Sequence, residues 1–569
     1  MTLRDVPHRP GAAALGRRGF LARAAGVATG AALLGALDSA PALAADSRAA
    51  ASAAADPVTT ESGSVTGATG GLRGVTVYKG IPYAASTAGE NRWRPPRPAP
   101  SWEGTRKATS WGPACPQPVT GIADDQVPEL SEDCLNLNIW TAATSAREHR
   151  PVLVWVYGGH DTAMWSGQEI YDGSLLANKG VVFVSFNYRV GALGDLAHPE
   201  LSAESGHGAS GNWGVLDTVA ALEWVQRNIT AFGGDPDRVT LAGWSHGASV
   251  VNILMTSQIA RGLYHRALLS SGVQYTKDPS LGHAAGGYRE LAAAEANGTR
   301  FASYLGASSL ADLRALSADE IVTRTYATDA PADATDFGNV LDGYVLPSTY
   351  TAAMESRAET DVPVLTGNCK DENGASPTLT MTLDEYRAYA AAEFGPTGLT
   401  DTFLDLYPAT SDAEAAVQYS AYARDEERVS TFLWGSQFTD TAGNSSPVHT
   451  YYWTHVPPGH DGTNPVIGTA ATGAFHGSDV YYLLGFIYNT DRPWTAHDYD
   501  LADTTASYVA NFAATGDPNG GSLRAWPALT TDTPQAMELG DHFAPVPAAD
   551  SDAKFAFLKA YLESQATAF

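Results

Sequence analysis

The chain has 569 residues, 44% hydrophobic and 17% charged, with a formal net charge of −27. That length and apolar content suit one large α/β domain with an ample core, or two to three smaller ones. The acidic balance disfavours partners that are themselves polyanionic, so neither nucleic acid nor an anionic membrane surface is expected.

Residues 1–44 read as a targeting segment. A twin arginine, Arg17 and Arg18, is followed by the uncharged stretch 25–37 and by Ala42-Leu43-Ala44, an A-x-A cleavage site. Charged start, short apolar run and small-residue site form a twin-arginine-type export signal. The apolar run is too short to span a bilayer. Residues 45–56 are small and polar, a flexible mature N-terminus, and 57–569 form the domain. The expected location is therefore secreted, with no stable membrane anchor. In an oxidising compartment, Cys115 and Cys134 are expected to pair, being close in sequence within a loop-rich stretch. Cys369 is then an inert buried thiol.

Past the Pro-rich run 92–102, CLNLNIW (134–140) alternates as a strand does, and apolar stretches follow at 151–159, 181–189 and 238–245. The last three are continuous apolar runs, as strands buried on both faces of a parallel sheet require. Helical spacing follows at 214–230 and again after Ser245. Residues 377–430 are rich in helix formers and read as a helical layer over the sheet. The order strand, helix, strand, sharp turn, helix is a doubly wound α/β pattern. No internal repeat is present.

Within this pattern Gly243-Trp244-Ser245-His246-Gly247 has the form G-x-S-x-G. Placed between a strand and a helix, it is the turn that raises a serine hydroxyl out of a sheet. A serine hydroxyl needs a base, and the base needs an orienting acid. In this architecture the chain order is Ser, acid, His. The segment 363–376 ends in a polar turn bearing Asp371 and Glu372, and His476 stands in a glycine-flanked loop at 473–477. Backbone N–H donors for an oxyanion are expected from His246, after the serine, and from the turn Tyr157-Gly158-Gly159-His160. No set of metal ligands at usable spacing emerges, so no metal and no cofactor is expected. Trp165, Trp213, Trp453 and Tyr481 are candidates for pocket walls.

From about residue 57 to the C-terminus, the stretches SEDCLNLNIW, PVLVWVYGG, NYRVGALG, GNWGVLD, GNCKDENG, GAFHGSD and NFAATGDPNG resemble the type-B carboxylesterase family. That family includes cholinesterases and bacterial p-nitrobenzyl esterases. The resemblance implies an α/β-hydrolase fold: a large, mainly parallel twisted sheet flanked by helices, with a helical cap-like region. It implies a Ser-Glu-His triad, which selects Glu372 over Asp371 beside Ser245 and His476. Gly159, His160 and His246 would supply the oxyanion N–H groups. The family's N-terminal disulfide loop matches Cys115–Cys134. The activity implied is hydrolysis of small-molecule carboxylic esters through an acyl-Ser245. The alternatives are a non-catalytic binding protein of the same superfamily, or an acyltransferase using the same triad. This chain departs from the family in having Trp244 where a Glu is usual, His246 in place of Ala, His160 in place of Gly or Ala, and Asp161 in place of an aromatic. The loop 116–133 contains no Trp, unlike that of cholinesterases, which argues against a choline ester.

Overall fold

The computed structural model describes residues 56–119, 126–159, 164–279, 288–440, 444–458, 472–489 and 492–566. The expected export segment and His160 lie outside the described residues.

The apolar runs become strands of an eleven-stranded sheet. In chain order these are β1 (Ala68–Thr69), β2 (Thr76–Pro82), β3 (Asn136–Thr141), β4 (Arg150–Val156), β5 (Val182–Phe186), β6 (Gly234–Trp244), β7 (Arg266–Ser270), β8 (Val364–Cys369), β9 (Val448–Trp453), β10 (Gln535–Leu539) and β11 (Ala544–Pro547). Across the sheet the order is β11-β10-β9-β8-β7-β6-β4-β5-β3-β2-β1. All neighbours from β5 to β10 are parallel, and the two flanks are antiparallel. The central strands carry Val152, Leu153, Val154 and Val156 on β4 and Val182, Phe183 and Val184 on β5, all with no exposed surface. Burial on both faces is what continuous β-branched runs allow and alternating ones do not.

Helix α1 (Trp213–Asn228) covers one face and ends through a 3-10 turn at Gly233, whose φ of 81° is open to glycine without strain. Its Asp217 forms a two-pronged ion pair with Arg189 (Nε–Oδ2 2.8 Å, Nη2–Oδ1 2.7 Å), with both side chains almost wholly buried. The pair ties α1 to the segment after β5. Helix α2 (His246–Thr256) runs from the end of β6.

The expected helical layer after residue 377 is present and extends further, through α3 (Leu383–Phe394) to the long α4 (Asp412–Asp440). It has a core of its own: Tyr386, Phe394, Phe403, Tyr407 and Tyr422 cluster with Phe557 and Tyr561 of the C-terminal helix (Asp552–Ser564). Phe394 and Phe403 stack with ring centroids 4.4 Å apart. Remaining helices used below are α5 (Val480–Leu483) and α6 (Ala496–Thr515), the latter opened by a capping box between Thr495 and Asp498. Trp165, Trp213, Trp453 and Tyr481 are all buried. They are core residues, with Trp213 Nε1–H donating to Leu196 O at 2.9 Å.

Helix α2 can leave β6 so sharply because glycine lines the contact. A Cβ on Gly247 would lie 2.1 Å from Val156 O, and one on Gly243 would lie 2.5 Å from Gly247 C. Real Cβ atoms do not come so close to backbone. Gly247→Ala should therefore destabilise the fold by about 1–3 kcal/mol through overpacking against rigid backbone. Chemical denaturation of the purified variant checks this; an unchanged midpoint would contradict the contact.

Candidate active site

Ser245 sits between β6 and α2 with φ 56° and ψ −125°, a conformation costly for any side chain. Its N–H donates to Ser270 O at 2.9 Å, and its O accepts from Ser249 N at 3.0 Å, which holds the turn from both sides. Gly158 backs it: a Cβ there would lie 3.1 Å from Ser245 Cβ and 2.9 Å from Trp244 O. The β4 turn thus lies directly against the serine, with the half-exposed Gly159 next in sequence at φ 90°. His246 is half-buried and opens α2, so its N–H stands at the positive end of that helix.

The acid turn follows β8. Glu372 Oε2 lies 2.5 Å from His476 Nδ1. Its other oxygen accepts from Ser271 Oγ at 2.9 Å and from Cys369 N at 2.7 Å. The carboxylate is therefore aimed at the imidazole by two fixed donors. Asp371, its neighbour, points the other way. It accepts from Arg424 Nη2 at 2.5 Å and from Ala474 N at 2.8 Å, while its own N–H donates to Ala474 O at 2.9 Å. The sequence left these two acids open and the resemblance chose Glu372. The geometry assigns Glu372 to the histidine and Asp371 to the backbone of the loop that carries it.

Burial opposes charge on the His476 ring, but the hydrogen bond and charge of Glu372, with the charge of Asp479, outweigh it. The net effect raises the pKa above the ordinary histidine value. The side chain is still 38% exposed. On its other side it packs beside Trp244, with ring centroids 5.2 Å apart. A Cβ on Gly477 would lie 2.3 Å from the Trp244 ring, so the residue after the histidine has to be glycine. The bulky Trp244 is thereby accounted for: its indole fills the space between the serine turn and the histidine loop.

Several supporting residues escaped the sequence reading. Asp479, three residues after His476, is fully buried and accepts from Ser270 Oγ (2.7 Å), Tyr451 Oη (2.6 Å) and Cys369 Sγ (3.4 Å). Burial pushes its carboxyl up. Burial likewise pushes the Cys369 thiol well up, with help from the charges of Asp479 and Glu372. It is buried, as expected. Helix α4 presents Arg424, Glu427 and Thr431 at spacings of three and four, one helix face, toward the acid turn. Arg424 holds Asp371, Glu427 accepts from Asn368 Nδ2 (2.5 Å) and from Asn373 Nδ2, and Thr431 Oγ1 donates to Asn368 Oδ1 (2.6 Å). Burial, then the charge of Glu372, raises the Glu427 pKa well above the carboxylate range. The HGSD and SSG stretches were the available signals for Asp479 and Ser271. Nothing local marks Glu427.

Cys115 and Cys134 are both buried, with no bond between them in the structure. They are neighbours nonetheless. The Cys115 thiol is the first cause of the raised Cys134 pKa, ahead of burial. The base of the loop between them is laced by Ala114 N–H to Glu129 O (2.8 Å) and Ser131 N–H to Ala114 O (3.0 Å). Among the described residues, no helix is long and apolar enough to cross a membrane.

Residues 54–558 match the carboxylesterase family. Fumonisin B1 esterase of Sphingopyxis macrogoltabida is 35% identical over 490 residues, covering 82% of this chain and 83% of that one. Para-nitrobenzyl esterase of Bacillus subtilis (strain 168) is 30% identical over 499 residues, covering 85% and 94%. A solved PNB esterase structure superposes with a TM-score of 0.70 at 26% identity, over 89% of this chain and 99% of the other. With its eleven-stranded α/β-hydrolase sheet and the site at that sheet's carboxyl edge, the chain belongs to the carboxylesterase family and is a carboxylic ester hydrolase.

Proposed function

We propose that the chain is a secreted serine esterase that cleaves small-molecule carboxylic esters through an acyl-Ser245 intermediate. The Glu372–His476 contact at 2.5 Å carries this reading, together with the strained turn that holds Ser245 at φ 56°. Glu372 fixes the tautomer in which Nδ1 is the donor, leaving Nε2 as the base. Nε2 takes the Ser245 proton as Oγ attacks the ester carbonyl. The tetrahedral oxyanion is met by backbone N–H groups of Gly159, His160 and His246. As the intermediate collapses, the imidazolium returns its proton to the departing alcohol. Water then enters, loses a proton to Nε2, and releases the acid from Ser245.

Removing the nucleophile removes the covalent route. Ser245→Ala should lower kcat on a p-nitrophenyl acetate assay by about 10⁴-fold or more. Retention of a few per cent of activity in the purified variant would exclude Ser245 as the nucleophile.

The base works only when neutral, so kcat/KM should fall as pH drops through the His476 pKa, with a midpoint above about 6.5. Glu372→Gln should fold, lose about 10⁴-fold in kcat as Asp-to-Asn does in a comparable triad, and shift that midpoint downward. Asp371→Asn should keep the midpoint and be far milder in kcat, its cost appearing as a loosened His476 loop. Opposite effects in the two variants would reassign the acid.

We propose too that residues 1–44 direct export and that Cys115 and Cys134 become linked on the way, closing a loop worth about 3 kcal/mol in the chain-entropy model. Non-reducing peptide mapping and N-terminal sequencing of protein recovered from the culture medium test both parts. A mature start near Ala45 with a Cys115–Cys134 peptide is expected. Retention of the full N-terminus, or a bridge to Cys369, would overturn them.

A further inference from the structure

Beyond the strand that leads to Glu372, the carboxyl edge of the sheet carries a second group of ligating side chains. His455 lies just past the end of β9, Asp541 just past β10, and His497 in the first turn of α6. No spacing in the sequence joins them. The two strand ends are pressed together: Thr454 N–H donates to Leu539 O at 2.9 Å, and a Cβ on Gly540 would lie 2.8 Å from His455 N. This brings the Asp541 Oδ1 to 2.8 Å from His455 Nδ1 and 3.2 Å from His497 Nε2. The ligand atoms of the three residues all lie within 4.8 Å of one another.

The far side of the His455 ring is fixed. Its Nε2 lies 2.9 Å from Asp498 Oδ1, and Asp498 is buried, accepting from Tyr482 Oη (2.7 Å), Thr495 N (2.8 Å) and Thr495 Oγ1 (2.5 Å). A neutral imidazole has one N–H. With a carboxylate against each nitrogen, one of the two contacts has no ring N–H to fill it, and a cation can take that place. Asp498 takes Nε2–H, so the Nδ1 lone pair is the one left for a cation, with His497 Nε2 and the Asp541 carboxylate beside it. Ligands on a tetrahedral zinc with bonds of about 2.0 Å stand roughly 3.3 Å apart. The 3.2 Å separation of His497 Nε2 from Asp541 Oδ1 matches that, and the 2.8 Å separation of His455 Nδ1 is shorter by about half an ångström.

The geometry points to a divalent transition-metal site, ligated by His455 Nδ1, His497 Nε2 and Asp541, with a fourth position for water. Two imidazoles and one carboxylate favour zinc over magnesium or calcium, which prefer all-oxygen ligands. Asp498 is the outer carboxylate that orients the histidine ligand. The His497 and Asp541 side chains are 55% and 59% exposed, so an ion can enter from solvent. The ion would clamp the ends of β9 and β10 to the start of α6. Tyr482, on the helix that follows the His476 loop, bonds to Asp498, so the clamp braces the backing of that loop and touches none of the catalytic residues.

The test uses the full chain, stripped with EDTA and titrated with zinc chloride by calorimetry and thermal melting. A single saturable equivalent with a micromolar or tighter dissociation constant and a raised Tm is expected. The double variant His497→Ala/Asp541→Ala, changed only at exposed side chains, should bind at least about tenfold more weakly and lose the Tm rise. Its ester hydrolysis without zinc should stay within about twofold of the parent. Absence of saturable binding in the parent, or equal zinc affinity in the double variant, would overturn the proposal.

Discussion

The contact between the start of α2 and the ends of β4 and β6 is the constraint on which the site depends. Ser245 can hold its strained φ only because the surrounding backbone leaves it no alternative. Gly158, Gly243 and Gly247 let three chain segments approach to distances that no Cβ permits. The same closeness puts the β4 turn, with Gly159, and the first N–H of α2 on either side of the serine. The serine and the backbone N–H groups beside it are thus placed by one packing event.

A second layer of order comes from the carboxylates gathered behind His476. Glu372, Asp479 and Glu427 are all buried and all accept hydrogen bonds, and burial pushes the pKa values of Asp479 and Glu427 up. Three acids crowd behind one histidine, and burial raises the cost of charging all of them at once. Each is held by its own donors: Ser271 and the Cys369 N–H converge on Glu372, while the Asn368 and Asn373 amides donate to Glu427.

The sheet was legible in the sequence because its central strands are buried on both faces and so read as unbroken apolar runs. The serine turn was legible because its glycines are obligatory. The choice between Asp371 and Glu372 was not legible from the residues alone, since adjacent positions in a turn point apart and nothing local says which way; only the family resemblance distinguished them. Glu427 lay hidden in a helix whose charged residues look solvated until α4 is set against β8. His455, His497 and Asp541 come from three separate elements, so only tertiary structure joins them. The cysteine pairing was read from proximity, and proximity is what the structure has, with the bond itself unmade.

The division of labour between Asp371 and Glu372 bears on how such enzymes can be recombined. Asp371 grips the backbone at Ala474 and is itself gripped by Arg424, so the acid turn, the histidine loop and one face of α4 form a single mechanical unit. A turn transplanted from a relative without a partner for Arg424 would bring the correct chemical acid yet lose the histidine's address. Chimeras with a crossover between residues 376 and 424 should inherit mismatched halves of this unit, whereas crossovers before 363 keep it whole.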